Sequence, residues 1–316
     1  MAITIASNVS WDPAAWEKFA YFALRPENYY DAVADVRGEH LTADGNPSVT
    51  FTITADLPII STSLNESTDV AVASLNDSVV TVVLAEYGNV VQTTALVRGT
   101  SFLPVDPVVA NVVGYNAGVT IDSITRDELE AGDNVIYSAG GGVQARATLE
   151  ADNNLDATDV RFVVAKLRGA SVQTHANGLY AAFIHPDVSV DLTSDTDLAG
   201  WRSPKVYSEP GAIWVGEIGS FQGARFLETP RAPLFADAGS SNVDVYGTLF
   251  CGRQSLAKAY SRTDGNGPFP RLSPSPVTDR LRRFTGIGWY WLGGYKRFRE
   301  ESLYRVESAS SIGDNA

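Results

Sequence analysis

The sequence predicts an α+β fold, and three observations carry that prediction. The stretch "PSVTFTITA" (47–55) alternates strictly, with Val49, Phe51 and Ile53 on one side and Ser or Thr between them, as a half-buried strand does. Residues 106–132 begin at an Asp-Pro pair and end at a glycine, which is the usual asymmetry of helix ends. The 27 glycines and 15 prolines divide segments rich in Thr, Val and Ser, which favours short strands joined by loops.

Composition and charge narrow the function classes. Of the 316 residues 44% are hydrophobic and 19% charged, which is typical of a globular chain. The net charge of −13 is uneven, with 9 basic and 26 acidic side chains over 1–200 against 15 and 11 over 201–316. Such an acidic chain is a poor candidate for wrapping nucleic acid. The asymmetry is either uneven surface composition or a device that brings the acidic part of one copy against the basic part of the next.

Cysteine usage and hydropathy favour a soluble cytoplasmic protein. Cys251 is the single cysteine and makes no internal disulfide. No apolar run is long enough to span a bilayer, and residues 1–17 lack the basic residues of a secretory signal.

The N-terminal region and the helix predicted over 106–132 both carry extensive apolar surface. Residues 10–37 predict two short helices broken at Arg25-Pro26, the first with Trp16, Phe19, Ala20 and Ala23 on one face and Phe22 beside it. The helix predicted over 106–132 carries two stripes, which are Val113, Ala117, Ile121 and Ile124, and then Val108, Val112, Tyr115 and Val119. We therefore expect the first half of this helix to be contacted on two sides. Gly114 and Gly118 suggest close approach of another backbone.

The predicted strand at 47–55 belongs to an unusual hairpin. Residues 78–94, "SVVTVVLAEYGNVVQTT", are interpreted as the returning strand, with a bulge or turn at Gly88-Asn89. An isolated hairpin is marginally stable in water, and no later segment is an obvious cover for it. We interpret it as an arm that docks on a neighbouring copy.

The remaining segments predict an ordinary arrangement of helices and strands. They comprise a capped helix over 156–169, a strand and helix over 178–195, a hairpin turning at Gly219–Gly223, strands over 242–253 and 301–310, and a loop over 262–278.

The search for catalytic or ligand-binding chemistry finds none. The glycine run in "YSAGGGVQARA" (137–147) has neither the Lys nor the Ser/Thr of a phosphate loop and follows a predicted helix, so we interpret it as a joint. "DNNLDATD" fits helix capping better than a calcium loop. His185 and Asp187 are the best candidates for a hydrolase site, but no nucleophile accompanies them, and Cys251 has the spacing of a buried side chain. We predict no catalytic, cofactor-binding or metal-binding residues.

A basic, aromatic segment near the C-terminus offers two interpretations. "GWYWLGGYKRFRE" follows Arg280, Arg282 and Arg283 and contains Lys296, Arg297 and Arg299. Interleaved charge and aromatic rings can stack nucleobases. The acidity of the rest of the chain favours instead a strand whose basic face meets acid on another subunit, with Trp289, Tyr290 and Trp291 in the core or the interface.

In order along the chain, several stretches resemble the major capsid proteins of tailed bacteriophages, which have the Hong Kong 97-type fold. Among them are "GYNAGVTIDSITRDELEAGDNVIY", "LYAAFIHPDVSVDL", "GEIGSFQGARFLETPRAPLFADAG" and "DVYGTLFCGRQSLAKAYS", and the resemblance covers most of 78–312. It implies a particular layout of the chain. The parts are an N-terminal arm (1–36), an extended hairpin loop (37–90), a peripheral domain with a spine helix at about 106–132 (91–150), an axial domain (151–275) and returning C-terminal strands (276–316).

The resemblance also implies a function in the virion. The chain would assemble in the host bacterial cytoplasm into pentamers and hexamers of an icosahedral shell around packaged DNA, with weak DNA contact and no membrane. Candidate contacts between subunits are Phe51, Ile53, Arg280, Arg282, Arg283, Lys296, Arg297 and Arg299. We expect a separate scaffolding protein rather than a cleaved N-terminal one, a portal and a possible decoration protein. The alternative is a β-rich attachment or fibre protein.

Some members of this fold join their subunits through Lys–Asn bonds from the extended loop. No Lys lies between Lys18 and Lys166, so the loop in this chain offers no amine. We predict no such cross-link from it.

Overall fold

We describe the fold from a computed structural model of the chain. Residues 29–312 are described except for 40–46, 55–56, 58, 62, 64–65, 68, 70–71, 101–104, 139–144, 176–177, 195–216, 263–266, 276–278 and 282.

Four helices and fourteen strands are present in the described part of the chain. The helices are α1 (Ala95–Thr100), α2 (Val105–Glu130), α3 (Ala157–Gly169) and α4 (Pro186–Ser194). The strands before α3 are β1 (Ala34–Glu39), β2 (Ser48–Thr54), β3 (Asp77–Val83), β4 (Ala85–Thr94) and β5 (Val135–Tyr137). The strands after α3 are β6 (Tyr180–Ile184), β7 (Glu217–Phe221), β8 (Ala224–Glu228), β9 (Leu234–Phe235), β10 (Val245–Cys251), β11 (Leu256–Ser261), β12 (Arg271–Ser275), β13 (Phe284–Arg297) and β14 (Leu303–Ser308).

The first sheet is organised around the 14-residue strand β13. Its strand order is β1-β11-β13-β12, and β4 pairs with β13 over ten residues, from Phe284↔Thr94 to Gly293↔Ala85. Helix α2 lies against this sheet because its buried stripe, with Val113, Ala117 and Ile121, packs on the β13 tryptophans. The indole N–H of Trp289 donates to Asn116 Oδ1 at 2.8 Å and fixes the helix in register with the strand.

The second sheet has the order β5-β14-β10-β6-β8-β7, with β9 also paired to β10. One face contributes Phe183, Leu249 and Leu303 to the core shared with α2 and the first sheet. The other face packs against α3 and α4. Since β10 is covered on both faces, all seven of its residues are buried.

Most local predictions are confirmed. Strand β2 alternates in burial as its sequence alternates, and α2 falls within two residues of its predicted ends. Asp156 caps α3, with its carboxylate accepting the Asp159 N–H and the two residues forming a capping box. The β7–β8 hairpin turns at Gln222-Gly223, where both residues have positive φ, which the tight turn needs.

Four predictions are wrong in detail. Residues 34–37, assigned to a helix, form part of β1, which pairs in parallel with β11. Residues 271–275, assigned to a loop, form the edge strand β12. The expected bulge at Gly88-Asn89 is absent, since β4 is continuous there and the break falls at Leu84. The glycine run follows strand β5 rather than a helix, although its missing Lys and Ser/Thr still argue against a phosphate loop.

Sheet membership also cuts across the expected domain limits. Strand β5 joins the second sheet, while β11 and β12 join the first. The limit drawn at residue 90 falls inside β4. The predicted first helix (10–25) and the glycines of the joint lie outside the described residues.

Candidate assembly surfaces

The base of the β2–β3 hairpin is anchored in its own chain. Val49, Phe51, Val82 and Leu84 form one buried cluster with Ala257 and Ala259 of β11. The Phe51 and Phe298 rings lie 5.4 Å apart. A Cβ added to Gly294 would lie 2.3 Å from the Val83 carbonyl oxygen, so the hairpin backbone approaches β13 where a side chain would not fit. The expectation that no later segment covers the hairpin is therefore wrong at its base.

The far part of the hairpin is exposed in the single chain. Between the two strands, Ile59 is 96% and Val72 99% exposed, and Leu57, Ile60 and Leu75 are also exposed. The acidic residues here include Glu66, Asp69 and Asp77, and no Lys or Arg lies between Arg37 and Arg98. This arm is consequently both apolar and acidic, a combination that suits a partner surface with apolar and basic groups.

The two predicted hairpin contacts differ in accessibility. Phe51 is 8% exposed because it packs inside its own chain. Ile53 is half-buried and lines an open cavity of about 660 Å³ between the hairpin and the Gln254 and Phe298–Glu301 segments, with Arg299 on the opposite wall. Their role between subunits stays a prediction.

Some basic side chains of this segment form ion pairs within the chain, and others are exposed. Lys296 Nζ lies 3.9 Å from Glu128, and Arg297 bonds Glu300 at 3.1 Å. Arg283 bonds Asp279 at 3.0 Å and remains 59% exposed, and Arg280 is exposed. Arg282 lies outside the described residues. The intersubunit role of these residues also stays a prediction.

The aromatic residues of this segment belong mainly to the core. Trp289 and Trp291 are 4% and 1% exposed, whereas Tyr290 is half-buried. The two tryptophans therefore have little surface on which a nucleobase could stack.

Buried ion pairs, which the sequence analysis missed, join distant parts of the chain. Lys258 is 1% exposed and donates to both oxygens of Asp31 at 2.7 Å, and the Tyr295 hydroxyl donates to the same carboxylate at 2.8 Å. Burial lowers the pKa of Lys258 while Asp31 opposes the shift. The alternation of "LAKAYS" with a lysine among small apolar residues is the one signal that could have indicated a buried amine.

A second buried carboxylate holds the entry of the N-terminal segment. Asp122 Oδ1 on α2 accepts the backbone N–H groups of Tyr29 and Tyr30, and its other oxygen accepts from Arg231 at 2.9 Å. Burial raises the pKa of Asp122, and these hydrogen bonds oppose the rise.

A third carboxylate fixes the chain just after the glycine run. Glu307 is fully buried and accepts from Arg146 at 2.6 and 2.7 Å and from Arg305 at 2.8 Å. Arg146 also stacks on the Phe235 ring, 3.4 Å from its centre. Bidentate pairing of this kind fixes direction as well as distance.

The candidate catalytic residues Cys251, His185 and Asp187 all make contacts that serve the fold. Cys251 is fully buried, and burial raises the pKa of its thiol to about 12, which keeps it protonated. The Asp187 carboxylate lies 3.3 Å from His185 Nδ1 and accepts from the Tyr246 hydroxyl at 3.0 Å.

Across the described ranges, no three His, Cys, Asp or Glu side chains are grouped to hold a metal ion. Among the described helices, none has both the length and the apolar character of a bilayer-spanning segment.

The second stripe of α2 is exposed over its first half. Val108, Val112 and Tyr115 are 50%, 57% and 52% exposed. The expected second contact is therefore not made by any part of the chain that the structure describes.

The described part of the chain is thus a two-sheet body that carries a hairpin anchored at its base and exposed beyond it. The chain belongs to the phage capsid protein family, whose model matches residues 32–312. No curated protein matches the sequence significantly. The predicted phage capsid protein is confirmed by this family match, and membership of a capsid family makes the chain a structural protein rather than an enzyme.

Solved capsids support the fold. The chain is similar to the capsid of Ralstonia phage GP4, with 15% identity, a TM-score of 0.69 and coverage of 92% of this chain and 93% of that one. It is also similar to the capsid of cyanophage Pam1, with 15% identity, a TM-score of 0.64 and coverage of 90% of this chain and 93% of that one. A third similar structure is the acidic stable capsid of Helicobacter pylori bacteriophage KHP30, with 12% identity, a TM-score of 0.64 and coverage of 91% of this chain and 90% of that one. The Hong Kong 97-type fold is confirmed, and the alternative of a β-rich fibre loses its support.

Proposed function

We propose that copies of this chain assemble into pentamers and hexamers that form an icosahedral shell around packaged phage DNA. The observation that carries the proposal is the hairpin arm, whose base is buried in its own chain while Ile59 and Val72 stand in water. Burying apolar surface yields about 25 cal/mol per Å², so docking this arm on a second copy is favourable. Many such contacts around closed symmetry hold a shell together without one strong interface.

Charge supports a head-to-tail contact between copies. The arm is acidic, whereas exposed Arg280 and the partly exposed Arg283 lie beside Leu281, which is 74% exposed. These residues combine the basic charge that the arm lacks with an exposed apolar side chain that could pack against the arm's own. Arg283, Lys296 and Arg297 are already paired with acids of their own chain, so we rank them below Arg280 as contacts.

The first experiment is negative-stain electron microscopy with sedimentation velocity on the expressed protein, alone and with its neighbouring phage genes. Closed shells or rings of five and six subunits are the expected result. Discrete trimers would favour an attachment protein. A stable monomer, even with a scaffolding candidate present, would contradict the proposal.

We propose further that the shell carries no Lys–Asn bond from the extended loop, because the sequence between Lys18 and Lys166 contains no amine. Shells boiled in denaturant should run on a gel as single chains of 33.9 kDa. Covalent ladders of higher mass would contradict this part of the proposal.

The partners that we propose are a separate scaffolding protein, a portal and a decoration protein, with assembly in the host cytoplasm. The DNA contact is weak, because a chain of net charge −13 offers few cations to phosphate. Dissociated subunits should therefore show little DNA retention at physiological ionic strength. Strong, salt-sensitive binding would count against this assignment.

A further inference from the structure

Lys258, Asp31 and Tyr295 bring an amine, a carboxyl group and a hydroxyl together inside the chain. Lys258 Nζ lies 2.7 Å from both carboxylate oxygens of Asp31, and the Tyr295 hydroxyl donates to one of these oxygens at 2.8 Å. The side chain of Lys258 is 1% exposed and that of Asp31 is 14% exposed. An amide-forming reaction needs these groups, which are the two reactants and a hydrogen-bond donor for the oxygen that becomes negatively charged.

The backbone fixes the position of each of the three groups. Lys258 on β11 and Tyr295 on β13 are direct partners in the antiparallel ladder, so their side chains lie next to each other on one face of the sheet. Asp31 lies in a short helical turn (Tyr30–Val33) that leads directly into β1, and β1 pairs in parallel with β11. The fold therefore holds the amine against the carboxyl group, although 227 residues separate them in the sequence.

Aromatic rings surround the amine. Lys258 Nζ lies 5.0 Å from the centre of the Phe269 ring and 5.9 Å from that of Trp291, and the ring of Tyr295 is 5.5 Å away. Burial lowers the pKa of Lys258 and so favours the neutral, nucleophilic amine, although the charge of Asp31 opposes this shift. Burial also raises the pKa of Tyr295, so its hydroxyl keeps its proton and remains a donor.

An ion pair in these surroundings is costly, and an amide removes the cost. Each charge taken out of water loses on the order of several kcal/mol of solvation, which the attraction between the two charges must offset. A neutral amide between the same side chains carries no charge, so burial favours it over the two ions. The fold also holds the reactants in contact, which is equivalent to a concentration of about 10⁵–10⁸ M for well-oriented groups.

We propose that Lys258 and Asp31 condense to an intramolecular amide in the folded chain, with Tyr295 stabilising the transition state. The ammonium first gives a proton to the carboxylate, and the carboxyl group turns about its Cβ–Cγ bond to present its carbon to the neutral amine. Attack forms the C–N bond and places negative charge on Oδ1, which accepts the hydrogen bond from Tyr295. A proton then passes from the new nitrogen to the other oxygen, the C–O bond breaks, and one water molecule leaves.

The proposed bond lies within one chain and needs no second subunit. It differs in this respect from a Lys–Asn bond between subunits, and the linked chain still runs as a single chain on a denaturing gel. The bond closes a loop from Asp31 to Lys258. Unfolding of the first sheet consequently cannot release the segment that leads into β1.

Intact-mass measurement on the purified, denatured full-length chain tests the proposal. The linked chain should weigh one water molecule less than the same polypeptide without the bond. Trypsin should release one branched peptide that joins residues 19–37 to residues 254–262, because an acylated Lys258 is not cut. Lys296 and Glu128, a partly exposed pair 3.9 Å apart in the same chain, are the internal control and should stay in linear peptides.

Two outcomes would overturn the proposal. One is a chain of full mass. The other is a loss of water without the branched peptide, because a succinimide at Asp264-Gly265 has the same mass.

Variants separate the reactants from the donor. Asp31→Ala should abolish the branched peptide, since it removes the carboxyl group. Tyr295→Phe keeps the ring and the ion pair but lacks the hydroxyl, so the linked fraction after a pulse of synthesis should grow about 100-fold more slowly. An unchanged rate in Tyr295→Phe would overturn the role given to Tyr295.

Discussion

Strand β10 and the β2–β3 hairpin use the same residue types for opposite purposes. Every residue of β10 is buried, and the strand has β14 and β6 along its two sides and β9 at its start. The hairpin buries one face at its base and leaves Val79 and Val83 58% and 66% exposed on the other. The comparison shows that this chain buries one set of apolar side chains in its own core and leaves a second set exposed at its surface.

The largest expected effect comes from truncating the buried strand. Phe250→Ala removes a fully buried ring that packs edge-on against Phe226 at 5.9 Å. We expect the free energy of unfolding, measured by denaturant titration, to fall by about 3–5 kcal/mol. Phe162→Ala at a 49% exposed position is the control and should cost less than about 1 kcal/mol. Similar losses for the two variants would break the comparison.

The free energy of unfolding should depend on pH through Asp159. Its Oδ2 and the Asn154 carbonyl oxygen both lie 2.6 Å from the Ser138 hydroxyl, which has one hydrogen for two acceptors. A protonated Asp159 satisfies both contacts by donating to Ser138. Burial accordingly raises the pKa of Asp159 from 3.8 to about 6, although the hydrogen bond from Ser138 opposes the rise and the Asp156 charge adds to it.

Because the folded state holds this proton more tightly, its stabilisation is complete below about pH 3.8 and is lost as the pH rises through about 6. The loss is on the order of 3 kcal/mol. Denaturant titrations at several pH values should show this decline in the wild-type chain, and Asp159→Asn should flatten it. An equal slope in the variant would assign the dependence to other groups.

A local effect is expected at the hairpin base. Phe51→Ala should detach β2 and β3 from β11 at a cost of about 2 kcal/mol. Amide hydrogen exchange in these two strands should then accelerate roughly 30-fold, while the amides of β10 exchange as before. Val79→Ala, in the same hairpin but 58% exposed, should leave both regions unchanged. Faster exchange throughout the chain would show that the hairpin is part of the global folding unit.

The smallest effect on the subunit is expected at the tip, together with a large effect on assembly. Ile59→Ser should change the free energy of unfolding by less than about 0.5 kcal/mol, since this side chain is 96% exposed. Sedimentation velocity should nevertheless show fewer shells. Ile312→Ser, at a 53% exposed position near the C-terminus, should assemble normally. Unchanged assembly of Ile59→Ser would remove the tip from the interface.

Sequence patterns were reliable where the structure is local. The alternation around Phe51 predicted β2, and the Asp-Pro start and glycine end predicted α2. Strand β1 was missed because its parallel partner β11 lies more than 200 residues away, and nothing local indicates that pairing. Strand β12 was missed because Pro274 indicates a loop, although an edge strand tolerates proline.

The candidate surfaces were predictable only in part. The arm was recognised because its strands lacked a cover, but the burial of Phe51 required knowledge of which later residues pack beneath it. The pairing of Lys296 with Glu128 depends on a tertiary contact that charge counting does not show, whereas the Arg297–Glu300 pair is local. The exposed α2 stripe was visible in the sequence as a second apolar face, and only the structure shows which half is covered.

The ladder between β4 and β13 has a mechanical consequence. Ten residue pairs join the two strands side by side, and the hairpin continues directly from the start of β4. Tension along β13 would load these backbone bonds in parallel, so that many must rupture together. Tension on the hairpin tip would instead pull β2 and β3 in the same direction and load the side-chain contacts that hold the hairpin base against β11. Pulled from the outside, the subunit should yield first at its arm and last at its central strand.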